Sequence, residues 1–278
     1  MNGLAEYPRI IPCAIYAPSR DISQIAIITN NVPGALAEIA FKMAEYGVNV
    51  LSGLIMAEPG TEVGTVIMFI DLTDASITLE RLLDELRKLD VVLKADVVVR
   101  KIGQMAVDGT THTTTFLGRR VVILDVDDVG SMFKWLVETF SSGGRAILFD
   151  MGERAGASAA ERLKNLYGLS GRELFETFLA LHAAAGWFNY ELIEYNEDTV
   201  RLRLYENFEC MPMAGKLDRP TSHLVRGAIA GVLHRAQGRE FDVVEVKCLA
   251  KGDAWCEFLA TRKEAASQPG FKPGTSSA

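Results

Sequence analysis

The densest group of chemistry-bearing side chains in this sequence is the run Glu245-Val-Lys-Cys248-Leu-Ala-Lys-Gly252-Asp253-Ala-Trp255-Cys256-Glu-Phe258. Two residues separate Glu245 from Cys248, and seven separate Cys248 from Cys256. Thiolate and carboxylate are both zinc ligands, so the run could hold a metal ion. A hairpin turning at Lys251-Gly-Asp253 would equally bring the two thiols within reach of a disulfide, or pack them as small buried side chains. The chain has four cysteines, at 13, 210, 248 and 256, too scattered to form a disulfide framework in 278 residues. A reducing, cytoplasmic compartment is expected, which disfavours the disulfide. In a regular strand Glu245 and Cys248 point to opposite faces. Convergence on one ion therefore requires a bulge or a strand end near Cys248.

Other candidates carry less. Asp125-Val-Asp127-Asp128 has carboxylates but not the further oxygen ligands of a calcium loop, so a strand end followed by a helix cap at Asp127 or Asp128 is expected. His182 follows Phe178 and Leu179 on an apolar helix and reads as a satisfied buried or boundary histidine. His112 falls in a linker and His234 near a helix end. Met211, Met213, Trp187, Phe188 and Tyr190 could wall an apolar cavity or fill a core. No G-x-S-x-G elbow, Walker loop or dinucleotide fingerprint is present, and no acid/base pair is placed by spacing.

These residues need a frame. Residues 22–102 read as one unit. Ile22–Thr29 is a β-rich run, and Asn30-Asn-Val-Pro-Gly34 is a turn into a helix. Leu36, Ile39, Ala40, Met43 and Ala44 recur there at helical spacing. Val48–Ala57 and Gly64–Leu72 are strands. A second helix has Leu79, Leu82, Leu83, Leu86 and Leu89 on one stripe, and Val91–Val99 is the last strand. The order βαββαβ is the ferredoxin-like arrangement, with both helices on one sheet face and a partner subunit expected on the other. Residues 1–21 form an N-terminal extension, 103–117 a Thr-rich linker, 118–263 a second α+β domain and 264–278 a Pro/Gly/Ser-rich disordered tail.

In the second domain Val121–Val126 reads as a strand, followed by a helix to Phe140 and a break at Ser141–Gly144. Glu153–Leu166, Gly171–Ala185 and His223–His234 read as helices, the last capped by Thr221 or Ser222. Trp187–Glu194 with Thr199–Tyr205, and Phe241–Cys248 with Trp255–Ala260, read as hairpins.

The formal charge of -7 and the absence of Lys/Arg clusters argue against nucleic-acid binding. No apolar run approaches the length of a bilayer span. The opening MNGLAEYPRIIPC lacks the charged start and apolar core of a secretion signal.

The first unit resembles the ACT domain, on Asn31-Val-Pro33-Gly34-Ala-Leu36 and Gly47-Val48-Asn49-Val50. The resemblance implies a regulatory module for amino acids or related small ligands, with Asn31, Pro33, Gly34, Leu36 and Asn49 at the ligand. In ACT domains like those of phosphoglycerate dehydrogenase, asparagines matching Asn31 and Asn49 bind an amino acid at a dimer interface. The histidine of those domains is Thr29 here.

The second unit resembles the 4-vinyl-reductase-type domain, on Gly152-Glu-Arg-Ala-Gly156, Gly186-Trp187, Gly227-Ala-Ile-Ala-Gly231 and the run from Glu245 to Phe258. That family is related to a vesicle-tethering-subunit fold and includes the sensor domains of phenol-responsive activators, where three Cys and one Glu hold zinc. Glu245, Cys248 and Cys256 match three of those ligands. The fourth position is Ser222, with His223 beside it as the substitute and Cys210 as another candidate.

Together the resemblances imply a non-catalytic sensor or regulatory homodimer. It would bind an amino-acid-like ligand in one unit and an apolar or aromatic ligand in the other, with a structural zinc and an output through a separate effector protein. An enzyme or accessory factor of vinyl-group reduction in tetrapyrrole-type metabolism, or a pure interaction module, are the alternatives.

Overall fold

The computed structural model describes Ile11 and residues 13–110 and 114–263. His112 and the tail 264–278 lie outside the described residues. The chain divides into two compact units, 1–121 and 122–278, and the fold is α+β in each.

The first unit runs β1 (Ala14–Tyr16), β2 (Ile22–Asn30), α1 (Ala35–Glu45), β3 (Asn49–Met56), β4 (Val63–Asp71), α2 (Leu79–Arg87), β5 (Val92–Val97), β6 (Val99–Ile102), β7 (Met105–Asp108), β8 (Thr115–Phe116) and β9 (Arg119–Arg120). Elements β2 to β5 with α1 and α2 form the expected βαββαβ unit, an antiparallel sheet in the order β3-β4-β2-β5. Ile25, Ile27, Val66, Met68 and Ile70 supply the sheet side of its core. Leu82, Leu83 and Leu86 of α2 meet them, with Leu79 and Leu89 at the margin, as the leucine spacing predicts. Helix α1 presents a different stripe from the expected one. Ala35, Ile39 and Met43 are buried, whereas Leu36, Ala40 and Ala44 are exposed. The helix starts from Gly34 in the left-handed conformation (φ 94°), and its phase puts the smaller Ala35 inward.

The other face of this sheet is covered in part by the chain itself. A small sheet in the order β1-β7-β6 packs Ile15, Ala17, Val99 and Ala106 against Ile22 and Phe69. Gly109 N donates to Gln24 Oε1 at 3.1 Å. The segment expected as a linker therefore contains strand β7. It also contains β8, which pairs with Arg119-Arg120, expected to open the second domain, around the positive-φ residues Leu117 and Gly118.

The second unit runs α3 (Val126–Phe140), α4 (Ser142–Tyr167), α5 (Gly171–Ala184), β10 (Asn189–Tyr195), β11 (Thr199–Tyr205), α6 (His223–Gln237), β12 (Phe241–Lys247) and β13 (Cys256–Arg262). Its antiparallel sheet has the order β10-β11-β13-β12. Leu202, Leu204, Val243 and Phe258 face a core closed by Phe175 and Phe178 of α5 and by Ile229 and Val232 of α6. Val121–Val126, expected as a strand, is not one. Val122, Ile123 and Leu124 are exposed, and Asp125 caps α3 through a 2.8 Å bond from Asp127 N, in place of Asp127 or Asp128. The expected break at Ser141–Gly144 is a corner between α3 and α4, with Gly143 and Gly144 inside α4. Gly144 is there because a Cβ would run into the Leu136 carbonyl of α3.

Helices α4 and α6 are pressed together along a glycine seam. A Cβ at Gly152 or Gly156 would overlap the Leu224 or Ala228 carbonyl. A Cβ at Gly227 or Gly231 would overlap the Phe149 or Glu153 carbonyl. This contact fixes the position of the first turn of α6, on which the site below depends.

Candidate functional site

The strand alternation that would keep Glu245 and Cys248 apart is broken. Pairing of β12 with β13 shifts register between Glu245 and Lys247, and the strand ends at Lys247. Cys248 then leads into a 3-10 turn, Leu249–Lys251, which closes at Gly252 with φ 91°. Asp253 accepts from Cys248 N at 2.8 Å and holds that turn. Cys256 opens β13 beneath it, and its sulfur accepts from Leu249 N at 3.4 Å.

A fourth donor arrives from the loop after β11. Cys210, Glu245, Cys248 and Cys256 are all buried, and one ligand atom from each lies within 4.8 Å of the others. Cys210 Sγ is 3.5 Å from Cys248 Sγ. His223, expected as the fourth ligand, is not in this group. Ser222 is at its edge: its Oγ donates to Glu245 Oε1 at 2.7 Å, its N–H donates to Glu245 Oε2 at 3.0 Å, and Cys210 Sγ lies 3.0 Å from its Oγ. The thiol of Cys210 thus enters, from the loop, the space beside Ser222. Asn207, fully buried, donates to Ser222 Oγ at 2.9 Å and sits 3.6 Å from Cys256 Sγ.

The dimensions suit a tetrahedral ion. With zinc–sulfur bonds of ~2.3 Å, neighbouring sulfurs in a tetrahedron stand ~3.8 Å apart, close to the observed thiol separation. Electrostatics show what an ion would relieve. Burial and the neighbouring Cys248 push the Glu245 carboxyl up to about 8, against the pull of the Ser222 bonds. Hydrogen bonds from Cys210 and Cys256 pull the Cys248 thiol down, while Cys248 holds Cys210 up. One thiolate shared among crowded donors is the arrangement the protein adopts without a cation.

Glu209, not singled out by the sequence reading, braces the same loop. Its carboxylate accepts from Leu224 N and Val225 N at 2.8 Å each, taking the place of the expected Thr221 or Ser222 side-chain cap on α6. Burial pushes this carboxyl up to about 8 against those amides. The one sequence signal is its run, Asn207-Phe-Glu209-Cys210, which sets two polar side chains among apolar ones.

On the sheet's outer face Glu257, itself buried, accepts from Arg203 Nε at 3.0 Å and Trp255 Nε1 at 3.0 Å and pairs with Arg201. His182 is held by its Phe178 carbonyl at 2.7 Å and meets Trp187 edge-on, matching the satisfied boundary histidine expected.

In the first unit Asn31, Pro33, Gly34, Leu36 and Asn49 are all exposed. Asn31 Nδ2 donates to the Thr61 carbonyl at 2.9 Å. Asn49 opens the edge strand β3, opposite Asp71. Thr29 is buried and donates to the Val91 carbonyl at 2.7 Å, so it does not face solvent.

The second unit is thus an α+β domain in which a hairpin, a loop and a helix start close on a metal-capable donor group. The family model of the vinyl-4-reductase domain matches residues 200–262, a span that includes all four donors. Over 125 residues the chain is 30% identical to the uncharacterized protein MJ0150 of Methanocaldococcus jannaschii, a match that covers 44% of this chain and 68% of that protein. The chain belongs to the vinyl-4-reductase-domain family. Among solved structures it is similar to the phenol-responsive sensory domain of the transcription activator PoxR with phenol, at 18% identity, 59% of this chain, 85% of that chain and TM-score 0.47. The first unit is similar to the ACT domain from GTP pyrophosphokinase of Chlorobium tepidum, at 19% identity, 28% of this chain, 99% of that chain and TM-score 0.25. No helix among the described residues is long and apolar enough to cross a membrane.

Proposed function

We propose that this protein is a non-catalytic small-molecule sensor whose second unit is stapled by a structural zinc ion at Cys210, Glu245, Cys248 and Cys256. The observation that carries the metal is the convergence of four buried donors within 4.8 Å. A closed set of four protein ligands leaves no coordination position for substrate, which favours a structural over a catalytic ion. The ion would tie the loop before α6 to the last hairpin, and membership of the vinyl-4-reductase-domain family supports ligand binding by the unit so braced. In the first unit an amino-acid-like ligand would contact Asn31, Pro33, Gly34, Leu36 and Asn49. Exposed Val50, Leu54, Ile55 and Met56 on the edge strand β3 favour a homodimer. The output would pass to a separate effector protein in the cytoplasm.

Native mass spectrometry with elemental analysis of the full chain, purified without added ligand, tests the reading. A dimer carrying about one zinc per chain is expected. A folded chain that stays metal-free after incubation with zinc would sink the structural-ion claim.

A further inference from the structure

A cleft of about 360 Å³ opens between the first half of α4 and the first turn of α6, lined by Ser142, Arg145, Ala146, Phe149, Asp150, His223 and Arg226. It accounts for His223, which turns to this cleft and not to the metal-capable group. The Arg226 guanidinium lies 4.8 Å over the Phe149 ring. Neither Arg145 nor Arg226 forms an ion pair with a carboxylate among the described residues, although Asp150 shares the cleft. Both arginines are half-buried. Burial, then Arg226 and Arg145, push the His223 ring down to about 4, so it is neutral at pH 7 and offers a hydrogen bond rather than a charge.

The first amides of α6 cannot supply the recognition, because Glu209 already occupies those of Leu224 and Val225. What remains is two guanidiniums, one carboxylate, a neutral imidazole, a hydroxyl and an aromatic wall. Converging guanidiniums without a protein counter-ion suit a forked oxyanion. The balance of two positive groups against Asp150 matches a monoanion better than a dianion. A cavity of this size is at the small end of ligand sites.

We propose that this cleft binds a small organic carboxylate with an apolar or aromatic body. This rests on, and narrows, the reading of the second unit as a small-molecule binder: the ligand is an acid, not a neutral hydrocarbon.

Isothermal titration of the full chain with benzoate, phenol and phenyl phosphate tests it, with metal content measured on the same samples. Benzoate should bind saturably at one site per chain. Phenol and phenyl phosphate should each bind at least about tenfold more weakly, because one lacks the charge and the other carries an extra one. Arg145→Gln should weaken benzoate by about tenfold or more. Arg226→Gln should do the same, with Arg226→Lys retaining much of the affinity even though the stack on Phe149 changes. Binding of phenol as tight as that of benzoate, unchanged benzoate affinity in Arg145→Gln, or no saturable benzoate binding would overturn the proposal. A zinc-loaded chain that binds phenol but ignores benzoate sinks only this inference. A chain that binds benzoate without zinc sinks only the structural-ion reading.

Discussion

Replacing Cys210 by alanine separates the ligand geometry of the structure from the ligand order of the sequence. A structural zinc site of four ligands is worth ~10–16 kcal/mol in zinc-finger peptides, or ~3 kcal/mol per ligand. Removing one of four donors within 4.8 Å should therefore weaken zinc by ~100-fold. At fixed free zinc, that loss removes ~2.7 kcal/mol of metal-linked stability, or a Tm fall of ~5–10 °C for a unit of this size. The assay is competition against a chromophoric chelator, with thermal melts in zinc and in chelator. Melting in chelator should change far less, because without an ion the substitution only removes a small buried thiol. His223→Ala should leave zinc affinity unchanged. Cys210→Ala with Ser222→Cys should recover much of it, since Ser222 Oγ is 3.0 Å from the Cys210 sulfur and 2.7 Å from Glu245. Wild-type zinc affinity in Cys210→Ala, or a loss in His223→Ala, would refute the assignment.

Gly227→Ala should destabilise the second unit by ~3 kcal/mol or more in chemical denaturation, because its Cβ would meet the backbone carbonyl of Phe149 and force α6 off α4; Gly238→Ala, at a surface cap, is the control for loss of glycine itself. Glu257→Gln should cost roughly 1–2 kcal/mol at pH 7. Burial raises this carboxyl, but Trp255, Arg203 and Arg201 outweigh it and hold it near 2 instead of 4.5. That fall corresponds to ~3 kcal/mol, and the partial exposure of both arginines halves it. A depressed carboxyl contributes above its unfolded pKa and loses that contribution as pH falls through its folded one. Wild-type and variant melting curves should therefore converge between pH 4.5 and about 2; a constant gap would refute the cause.

What the sequence made legible was what periodicity and turn chemistry encode locally. The leucine stripe of α2 and the strand runs on either side define the βαββαβ unit. Two kinds of residue misled it. The β-branched run Val121–Val126 has the composition of a strand, but no neighbouring strand among the described residues pairs with it, and it forms an exposed lead into α3. Gly143 and Gly144 read as helix breakers, but Gly144 serves close helix approach, a tertiary use that local propensity does not register. The β1-β7-β6 sheet was hidden for a related reason: its strands are short and far apart in sequence, and only pairing across the unit reveals them.

The donor group shows the same limit at the level of chemistry. Glu245, Cys248 and Cys256 lie on one hairpin, so their spacing in sequence is also a spacing in space once the bulge is allowed. Cys210 is separated from them by a loop and all of α6, and no spacing rule reaches across that distance. What brings it in is the first turn of α6. Ser222 there holds Glu245, and Glu209 holds the amides of Leu224 and Val225, so the loop between Tyr205 and His223 is tied down at both the carboxylate and the helix. Gly227 then locks that turn against α4. The same turn carries His223 and Arg226 into the neighbouring cleft. A serine at position 222 is consequently compatible with four ligands. The loop supplies the thiol to the space beside it, and the helix keeps the hydroxyl as a bridge to the carboxylate.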